Sequence, residues 1–244
     1  MSLTVVIPAY NEEKDIERTL RSVKFADEII VFLDQRTTNT TGEIAKKHGA
    51  LVVPFTYESF CKMRNEADSL AASDWIFSIE ADVVVTPALA AEIRSVTSGV
   101  SDVKAYYLGR ENIIWGKTIR YTDWGPRDDR HIWLYLRGAG QWHSAVHEEF
   151  VTTEKTGNLK NHLIHYNYET VSEFIDKVNS VSEKALVQNN KPGWTRPLYD
   201  FFKRYFYKLG LLDGYRGLFL SYLQAIYYLT LNIKIRQKRY TQSR

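Results

Sequence analysis

The feature that most constrains this fold is the regular alternation of strand and helix patterns over the first hundred residues. Short runs rich in β-branched residues are separated by apolar residues at helical spacing. Four strands are predicted, at residues 3–7, 28–33, 50–55 and 75–79, and Thr86-Pro87 predicts a helix start with Thr86 as N-cap and Pro87 at the first helical position. Such alternation is typical of a largely parallel sheet covered by helices on both faces. We therefore predict an α/β fold with a mostly parallel, Rossmann-like sheet flanked by helices.

After residue 100 the pattern changes. Two more strands are predicted at residues 104–109 and 131–136, with a long loop between them. Thr170 and Glu173 have the spacing of a capping box and predict a helix that starts at residue 171. The sequence therefore predicts an α/β core that is followed by helices.

The amino-acid composition narrows the class of protein. Hydrophobic residues make up 44% and charged residues 25% of the 244 residues, which is typical of a globular chain. The single cysteine, Cys61, excludes an internal disulfide and any zinc site with two cysteines. We expect a reducing, cytoplasmic setting.

The C-terminal tail differs from the rest in charge. Residues 194–244 hold ten Lys or Arg and two Asp or Glu, whereas the whole chain carries a net charge of +3. Residues 217–233 are uncharged but only just long enough to span a bilayer, and polar residues recur along them at helical spacing. An amphipathic helix on an anionic membrane surface fits this pattern. A helical pair that simply packs on the core is the alternative, and we expect no nucleic acid partner.

Acidic residues follow the predicted strands. Glu12 comes after the first strand, Asp34 ends the second, and Glu80 and Asp82 follow the fourth. The carboxyl ends of parallel strands lie at one edge of a sheet, where ligands bind. Glu80 and Asp82 suit a divalent cation that holds a diphosphate. The chain has no G-x-G-x-x-G or Walker loop, so a metal ion is expected to neutralise the phosphates instead.

Two arginines are further candidates for phosphate binding. Arg127 and Arg130 precede the strand at residues 131–136, and a guanidinium group matches phosphate oxygens. The alternative is that they pair with Asp128 or Asp129.

The histidines offer a rival function. His143 and His147 are four residues apart, and His162 and His165 are three apart, so a zinc hydrolase site that includes Glu148 is conceivable. The chain lacks the H-E-x-x-H motif, which disfavours this alternative.

Several motifs resemble those of glycosyltransferase family 2. The stretch I-P-A-Y-N-E-E at residues 7–13, D-E-I-I-V at residues 27–31 leading to Asp34, and Arg64-Asn65 followed by E-A-D at residues 80–82 are similar to the family's nucleotide-binding and metal-binding segments. Residues 146–148 and 208–214 resemble the branch that includes lipopolysaccharide core β-glucosyltransferases.

The resemblance implies a GT-A fold and an inverting transfer of a hexose from a nucleotide-sugar, with a UDP-sugar as the expected donor. It implies Mn²⁺ or Mg²⁺ as cofactor, held by Asp82 and Glu80, with the late His165 completing the cation or phosphate shell. Glu148, or its neighbour Glu149, is the candidate general base. The nucleotide-binding residues that the resemblance implies are Pro8, Tyr10, Asn11, Glu12, Asp34, Arg64 and Asn65.

The resemblance also divides the chain. Residues 1–190 form the predicted catalytic domain, in which residues 1–100 bind the nucleotide-sugar and residues 101–190 supply the acceptor side and the base. Residues 191–244 form the tail, which we expect to lie on the inner face of the cell membrane near a lipid-linked or lipopolysaccharide-core acceptor.

The chain departs from the family pattern at three positions. Glu80 stands in place of the first Asp of D-x-D, Val83 replaces a frequent acid, and Asn39 replaces an Asp after the second strand. A catalytically degenerate relative that binds nucleotide or sugar is therefore a second alternative.

Overall fold

The structure is a computed structural model that describes residues 1–99, 101–143, 149–187 and 193–242. It divides into two compact units. The first, here called the sheet unit, comprises Met1–Arg110 and Asp129–His165. The second, here called the tail unit, comprises Glu111–Asp128 and Tyr166–Arg244. The predicted domain boundary at residue 190 stays a prediction.

The six predicted strands are present in the predicted order, together with several short strands after residue 82 that the sequence did not predict. The first half contains β1 (Leu3–Ala9), α1 (Ile16–Ser22), β2 (Glu28–Asp34), α2 (Thr41–Lys47), β3 (Leu51–Phe55), α3 (Phe60–Leu70), β4 (Trp75–Ser78), β5 (Val83–Val84) and α4 (Pro87–Ser98). The remaining strands are β6 (Ala105–Ile114), β7 (Lys117–Thr118), β8 (Arg130–Leu136), β9 (Gln141–His143), β10 (Glu149–Val151), β11 (Thr156–Asn158) and β12 (Leu163–Tyr166). The last helices are α5 (Val171–Val187), α6 (Arg196–Phe202) and α7 (Tyr215–Gln242).

The sheet unit is built on four parallel strands in the order β3-β2-β1-β4. Strand β1 lies inside the sheet and all seven of its residues are buried, which explains its unbroken apolar sequence. Strands β8 and β6 extend the sheet from β4 in antiparallel orientation. This mixed α/β architecture confirms the predicted fold class.

Local capping signals position the helices as predicted. The hydroxyl of Thr86 accepts a hydrogen bond from the backbone N–H of Leu89, and Pro87 is the first residue of α4. At the start of α5, the backbone N–H of Glu173 donates to the Thr170 hydroxyl, and the Glu173 carboxylate accepts from the Thr170 N–H. This capping box satisfies backbone groups that a helix start otherwise leaves without partners.

The tail unit is held together by a brace at residues 208–214. The carboxylate of Asp213 accepts hydrogen bonds from the backbone N–H groups of residues 120 and 121. The Lys208 ammonium forms ion pairs with Asp123 and Asp128. Helix α7 approaches so closely that a Cβ on Gly217 would lie 1.8 Å from the Gly210 carbonyl oxygen. A glycine is required there because any side chain would collide with that backbone.

Helix α7 is present as predicted, but it does not separate polar and apolar faces in the expected way. Ser221 and Asn232, two of the polar residues of its predicted stripe, are buried. The Ser221 hydroxyl donates to the Gly217 carbonyl within the helix, and the Asn232 amide donates to the Gly193 carbonyl. Because these polar groups have internal partners, they face inward while apolar residues face solvent. Within the part of the chain that the structure describes, no helix combines the length and hydrophobicity needed to cross a bilayer.

Candidate active site

Three candidate metal ligands come together at the carboxyl edge of the sheet unit. Glu80 and Asp82 lie in the turn between β4 and β5, and His165 lies on β12, where it pairs with Val83 of β5. His165 Nε2 is 3.1 Å from Asp82 Oδ2 and 3.9 Å from Glu80 Oε2. One potential ligand atom from each residue lies within 4.8 Å of the others. The short β5–β12 pair therefore brings a histidine 83 residues away to the acidic turn.

The donor set and the bonding of this cluster fit a divalent cation. Among the described residues, Asp82 Oδ1 is buried without a hydrogen-bond partner, which is costly unless a cation binds there. Burial lowers the pKa of His165, but the carboxylates of Asp82 and Glu80 outweigh burial, so its pKa is raised. The cluster thus concentrates negative charge. Carboxylate oxygens with one imidazole suit Mn²⁺ or Mg²⁺.

A buried arginine completes the charge pattern of this edge. Arg110 Nη1 donates to Glu80 Oε2 at 2.5 Å, and its Nε and Nη2 donate to both oxygens of Asp129 at 3.0 and 2.9 Å. Its guanidinium group also lies 5.6 Å from the ring centre of Trp133. Burial lowers the pKa of Arg110, but the nearby carboxylates outweigh burial and raise it. Arg110 is therefore a fixed cation that holds one oxygen of the acidic turn.

A second group of side chains lies at the end of β2. Both carboxylate oxygens of Asp34 accept hydrogen bonds from Arg36, and this pairing holds the pKa of Asp34 below its ordinary value. The Arg36 guanidinium lies 5.3 Å from the ring centre of Tyr10 and 4.8 Å from that of Tyr57. Tyr10 is 48% exposed, so its ring is available to a ligand. Two rings and a guanidinium plane form a surface on which a flat base can stack.

The motif after β1 fixes the loops at this edge. Pro8 is buried within β1. Asn11 has a left-handed backbone with φ of 55°, and its side-chain oxygen accepts from the Thr38 backbone N–H at 3.0 Å. The Glu12 backbone N–H donates to the Thr41 hydroxyl at 2.8 Å. These bonds join the loop after β1 to the loop after β2, so the two loops form one surface.

Arg64 and Asn65 lie on α3 and hold the β9–β10 hairpin. Asn65 makes two hydrogen bonds to the backbone of Trp142, one to its N–H and one to its carbonyl. Arg64 is 2% exposed and lies 4.5 Å from the Trp142 ring centre. Its guanidinium group also donates to the Ser78 hydroxyl. The pair therefore positions strand β9 at Trp142.

A carboxylate with a raised pKa lies near the same hairpin. Asp68 on α3 accepts a hydrogen bond from the Tyr135 hydroxyl, which in turn accepts from Trp142 Nε1, each at 2.9 Å. Burial raises the pKa of Asp68 from 3.8 to about 6, against the lowering effects of Tyr135 and Arg64. Between these two pH values the folded chain binds a proton that the unfolded chain has lost. The stability of the protein therefore falls as pH rises through this window.

This linkage predicts the effect of Asp68→Asn. The amide keeps an oxygen acceptor for Tyr135 but is neutral at every pH, so the variant should be more stable than wild type at pH 7 by about 1–2 kcal/mol. Near pH 4 the two proteins should be equally stable. Chemical denaturation at both pH values measures the difference. Glu66→Gln, an exposed change on the same helix, is the control and should show no such pH dependence.

The predicted base and phosphate residues are less closely grouped. Glu148 and His147 lie outside the described residues. Glu149 is the exposed first residue of β10 and pairs with His143 across the hairpin. Arg130 is exposed at the start of β8, donates to the Asn158 side chain and lies over the Tyr107 ring. Arg127 is exposed in the tail unit.

The other described histidines are not part of the metal cluster. Within residues 1–99, 101–143, 149–187 and 193–242, the group that can hold a metal comprises Glu80, Asp82 and His165. Neither His143 nor His162 belongs to it, so the described part of the chain does not assemble the predicted zinc site.

The comparison with sequence families decides the class of protein. The sequence model of the family described as Glycosyl transferase family 2 matches residues 4–170. The chain belongs to glycosyltransferase family 2. It is therefore a glycosyltransferase that uses a nucleotide-sugar donor, and the alternative of a zinc hydrolase is wrong.

Relatives of this glycosyltransferase agree with the assignment. An uncharacterized glycosyltransferase of Rickettsia bellii is 27% identical over 235 residues, covering 88% of this chain and 79% of that protein. The SPbeta prophage-derived glycosyltransferase SunS of Bacillus subtilis is 29% identical over 152 residues, covering 61% of this chain and 34% of SunS.

A solved structure shares the GT-A fold. Glucosyl-3-phosphoglycerate synthase from Mycobacterium tuberculosis, in complex with Mn²⁺, UDP and phosphoglyceric acid, superposes with a TM-score of 0.51 at 15% identity over 76% of each chain. At this identity the likeness shows the fold alone.

Sequence reasoning missed four residues at this glycosyltransferase's sheet edge: Arg36, Tyr57, Arg110 and Asp129. The sequence could have indicated Arg36, because it lies two residues after Asp34. Arg110 carried a weaker signal, since it directly follows the predicted strand at residues 104–109, and an arginine that is largely buried usually has an acidic partner.

Proposed function

We propose that this glycosyltransferase moves a hexose from a UDP-sugar to a lipid-linked or lipopolysaccharide-core saccharide, with inversion at the anomeric carbon and with Mn²⁺ or Mg²⁺ as cofactor. The observation that carries the proposal is the cluster of Glu80, Asp82 and His165 at the carboxyl edge of the parallel strands.

The donor nucleotide fits the surface at the ends of β1 and β2. Tyr10 and Arg36 offer planar groups for the base, and Asp34 offers an acceptor for a uracil or ribose donor group. Pro8, Asn11 and Glu12 complete this surface through the joined loops. Arg64 and Asn65 are proposed to support the nucleotide site indirectly. They contact Trp142 and so position the β9–β10 hairpin. The M. tuberculosis enzyme, solved with UDP, supports a uridine nucleotide on this fold.

The cation would be held by Asp82, Glu80 and His165. When bound, a divalent cation offsets the charge of the diphosphate and so makes UDP a better leaving group. Asp82 supplies the oxygen that has no hydrogen-bond partner among the described residues. Arg130 and Arg127 are the proposed additional phosphate contacts, because exposed guanidinium groups are available to bind phosphate oxygens.

The proposed reaction is a single displacement. The acceptor hydroxyl oxygen attacks the anomeric carbon as the bond from that carbon to the UDP oxygen breaks, and UDP leaves with the bonding electrons. The hydroxyl proton passes to a carboxylate that acts as general base. Glu148 is our candidate, with Glu149 as its rival, because both belong to the His-Glu-Glu segment at residues 147–149 that resembles the family's late His-Glu motif.

The acceptor side is assigned to residues 101–190 and membrane contact to residues 191–244. Residues 146–148 and 208–214 resemble the lipopolysaccharide core branch, and the tail is basic and aromatic. These features support a peripheral position on the inner face of the cell membrane, close to a lipid-linked acceptor.

Calorimetric titration with UDP, GDP, CMP and dTDP, each with and without manganese, tests the donor class. We expect only UDP to bind tightly, and at least about tenfold more tightly with manganese, because the cation bridges the diphosphate to the acidic cluster. Turnover of UDP-hexoses then tests transfer. Binding of UDP without turnover of any UDP-hexose on lipopolysaccharide-core acceptors would favour the degenerate relative, and no binding at all would contradict the proposed donor.

A further inference from the structure

Exposed apolar side chains are concentrated in the tail unit. Of the 24 large hydrophobic side chains that are exposed in the described residues, sixteen lie between Trp194 and Tyr240. A soluble surface normally scatters such residues singly, whereas a contiguous patch marks an interaction site. The tail unit therefore presents a surface that something else covers.

These side chains follow the helical repeat of α6 and α7. On α7 the exposed residues recur every three, four or seven positions along one side of the helix. On α6 and the π-helical turn that follows it, they recur every four. We name this surface the aromatic face and define it by Leu198, Phe202, Phe206, Tyr215, Phe219, Tyr222, Leu229 and Ile233.

The aromatic face is continuous from one helix to the other. The rings of Phe202 and Phe206 are stacked with centres 5.8 Å apart. Phe201 lies 5.4 Å from Phe202 and 5.4 Å from Tyr222, so it joins the α6 side to α7. Phe202, Phe206 and Tyr222 are each at least half exposed. The rings thus form one connected surface that is open to solvent.

The exposed apolar side chains of α7 lie on the side of the helix that faces away from the tail unit. The opposite, inward side already packs on the tail unit through Leu220, Leu223 and Leu231, and it also buries Ser221 and Asn232. The outward side is apolar as well. A helix that is apolar all round is normally covered on both sides.

Charge indicates what covers it. The tail contains two carboxylates within residues 193–242, and neither is exposed: Asp200 is 1% exposed and pairs with Arg204, and Asp213 accepts hydrogen bonds from the backbone N–H groups of residues 120 and 121. Arg236, Lys238 and Arg239 are exposed near the end of α7. Tyrosine and phenylalanine rings with nearby Lys and Arg, and no exposed acid within residues 193–242, match the boundary of a phospholipid bilayer.

Most of the other cations of the tail have protein partners. Lys203 and Lys208 form ion pairs with Asp123, and Lys234 forms one with Glu183. These three lysines are held by acidic side chains, which leaves them less available to lipid headgroups. The apolar side chains therefore have more to contribute to membrane binding than the charges do.

We propose that the aromatic face lies in the boundary between headgroups and acyl chains of a bilayer, and that insertion of its apolar side chains, with charge in a secondary role, carries the binding. Membrane binding of this kind rests on the proposed function, because it would bring the enzyme to a lipid-linked acceptor. Membrane binding is tested without donor or acceptor. It can therefore fail while the proposed sugar transfer is correct, and the proposed sugar transfer can fail while membrane binding is observed.

The test is co-sedimentation of the full chain with vesicles of phosphatidylcholine, and of phosphatidylcholine mixed with phosphatidylglycerol. Phe202→Ser with Phe206→Ser should lower the partition coefficient at least about tenfold on both vesicle types, because two half-exposed rings no longer insert. Raising the salt from about 0.1 M to about 1 M, which shortens the Debye length from about 10 Å to about 3 Å, should change wild-type binding less than about threefold.

Two matched variants complete the design. Leu51→Ser with Leu70→Ser removes two exposed apolar side chains from the sheet unit and should leave binding unchanged. Lys238→Gln with Arg239→Gln should lower binding less than the phenylalanine variant does. Circular dichroism and thermal denaturation of the same preparations show whether each variant is folded.

Three results would overturn the inference. The first is unchanged sedimentation of the folded phenylalanine variant, and the second is loss of wild-type binding at high salt. The third is a concentration-dependent dimer that forms without vesicle binding and is abolished by the phenylalanine changes. That result would assign the aromatic face to a second copy of the chain.

Discussion

Asp82→Asn is expected to lower kcat at least about 10³-fold and to abolish the manganese dependence of UDP binding. Asp82 is the member of the acidic cluster whose Oδ1 is buried with no hydrogen-bond partner among the described residues, and its Oδ2 lies 3.1 Å from His165 Nε2. An amide has the same shape but no charge, so it is a poor ligand for a hard cation. The loss should therefore appear in metal binding as well as in turnover.

Glu80→Gln provides an internal comparison. One oxygen of Glu80 is already engaged by Arg110, whereas Asp82 keeps an oxygen for a cation. We therefore expect a smaller loss of manganese affinity for Glu80→Gln than for Asp82→Asn. Calorimetry with manganese and UDP measures both.

Asp102→Asn changes an exposed carboxylate elsewhere in the sheet unit and serves as the control, with no expected effect. Full activity in Asp82→Asn, with manganese dependence intact, would show that the metal binds elsewhere.

The sequence predicted the scaffold of the site well because its signals are local. Strand patterns, the Thr86 N-cap and the Thr170–Glu173 capping box depend on residues within a few positions of one another, and the structure confirms them. The convergence of Glu80 and Asp82 with the sheet edge follows from the rule for parallel strands. For these features, position along the chain is sufficient.

The partners of the acidic turn are not local. Arg110 reaches Asp129 because β6 pairs with β8 in a register that places Gly109 opposite Arg130. His165 reaches Asp82 because β12 pairs with β5. Neither register can be derived from the hydrophobic pattern of short strands, so the sequence suggested the histidine by resemblance and missed the arginine.

The tail shows a different limit. The sequence predicted its helices and its charge, but a helical pattern identifies a polar stripe without telling which side faces inward. Ser221 can turn inward at little cost because its hydroxyl donates to the helix's own backbone. Helix α7 consequently exposes apolar side chains on the side where the sequence pattern alone would place polar ones.

Arg110→Met is expected to lower the free energy of unfolding by about 3–5 kcal/mol. The side chain of Arg110 is 16% exposed and that of Asp129 is 11% exposed, so water cannot replace the lost cation around Asp129. Methionine is similar in length and packs well, so the main cause of the loss is removal of the cation between Glu80 and Asp129, which leaves His131 Nε2, 3.2 Å from Asp129 Oδ1, as one remaining neighbour of that carboxylate. Chemical denaturation at pH 7 measures it.

Arg94→Met is the matched control. Arg94 pairs with Asp27 through two hydrogen bonds, but the side chains are 38% and 45% exposed, so the expected loss is below about 1 kcal/mol. Adding Asp129→Asn to Arg110→Met should recover part of the stability, because the buried charge is then removed.

Manganese should raise the Tm of Arg110→Met more than that of the wild type, since Glu80 is no longer shared with an arginine and can bind the cation fully. If Arg110→Met were no less stable than Arg94→Met, and manganese raised both proteins equally, Arg110 would not be the cation that balances this acidic edge.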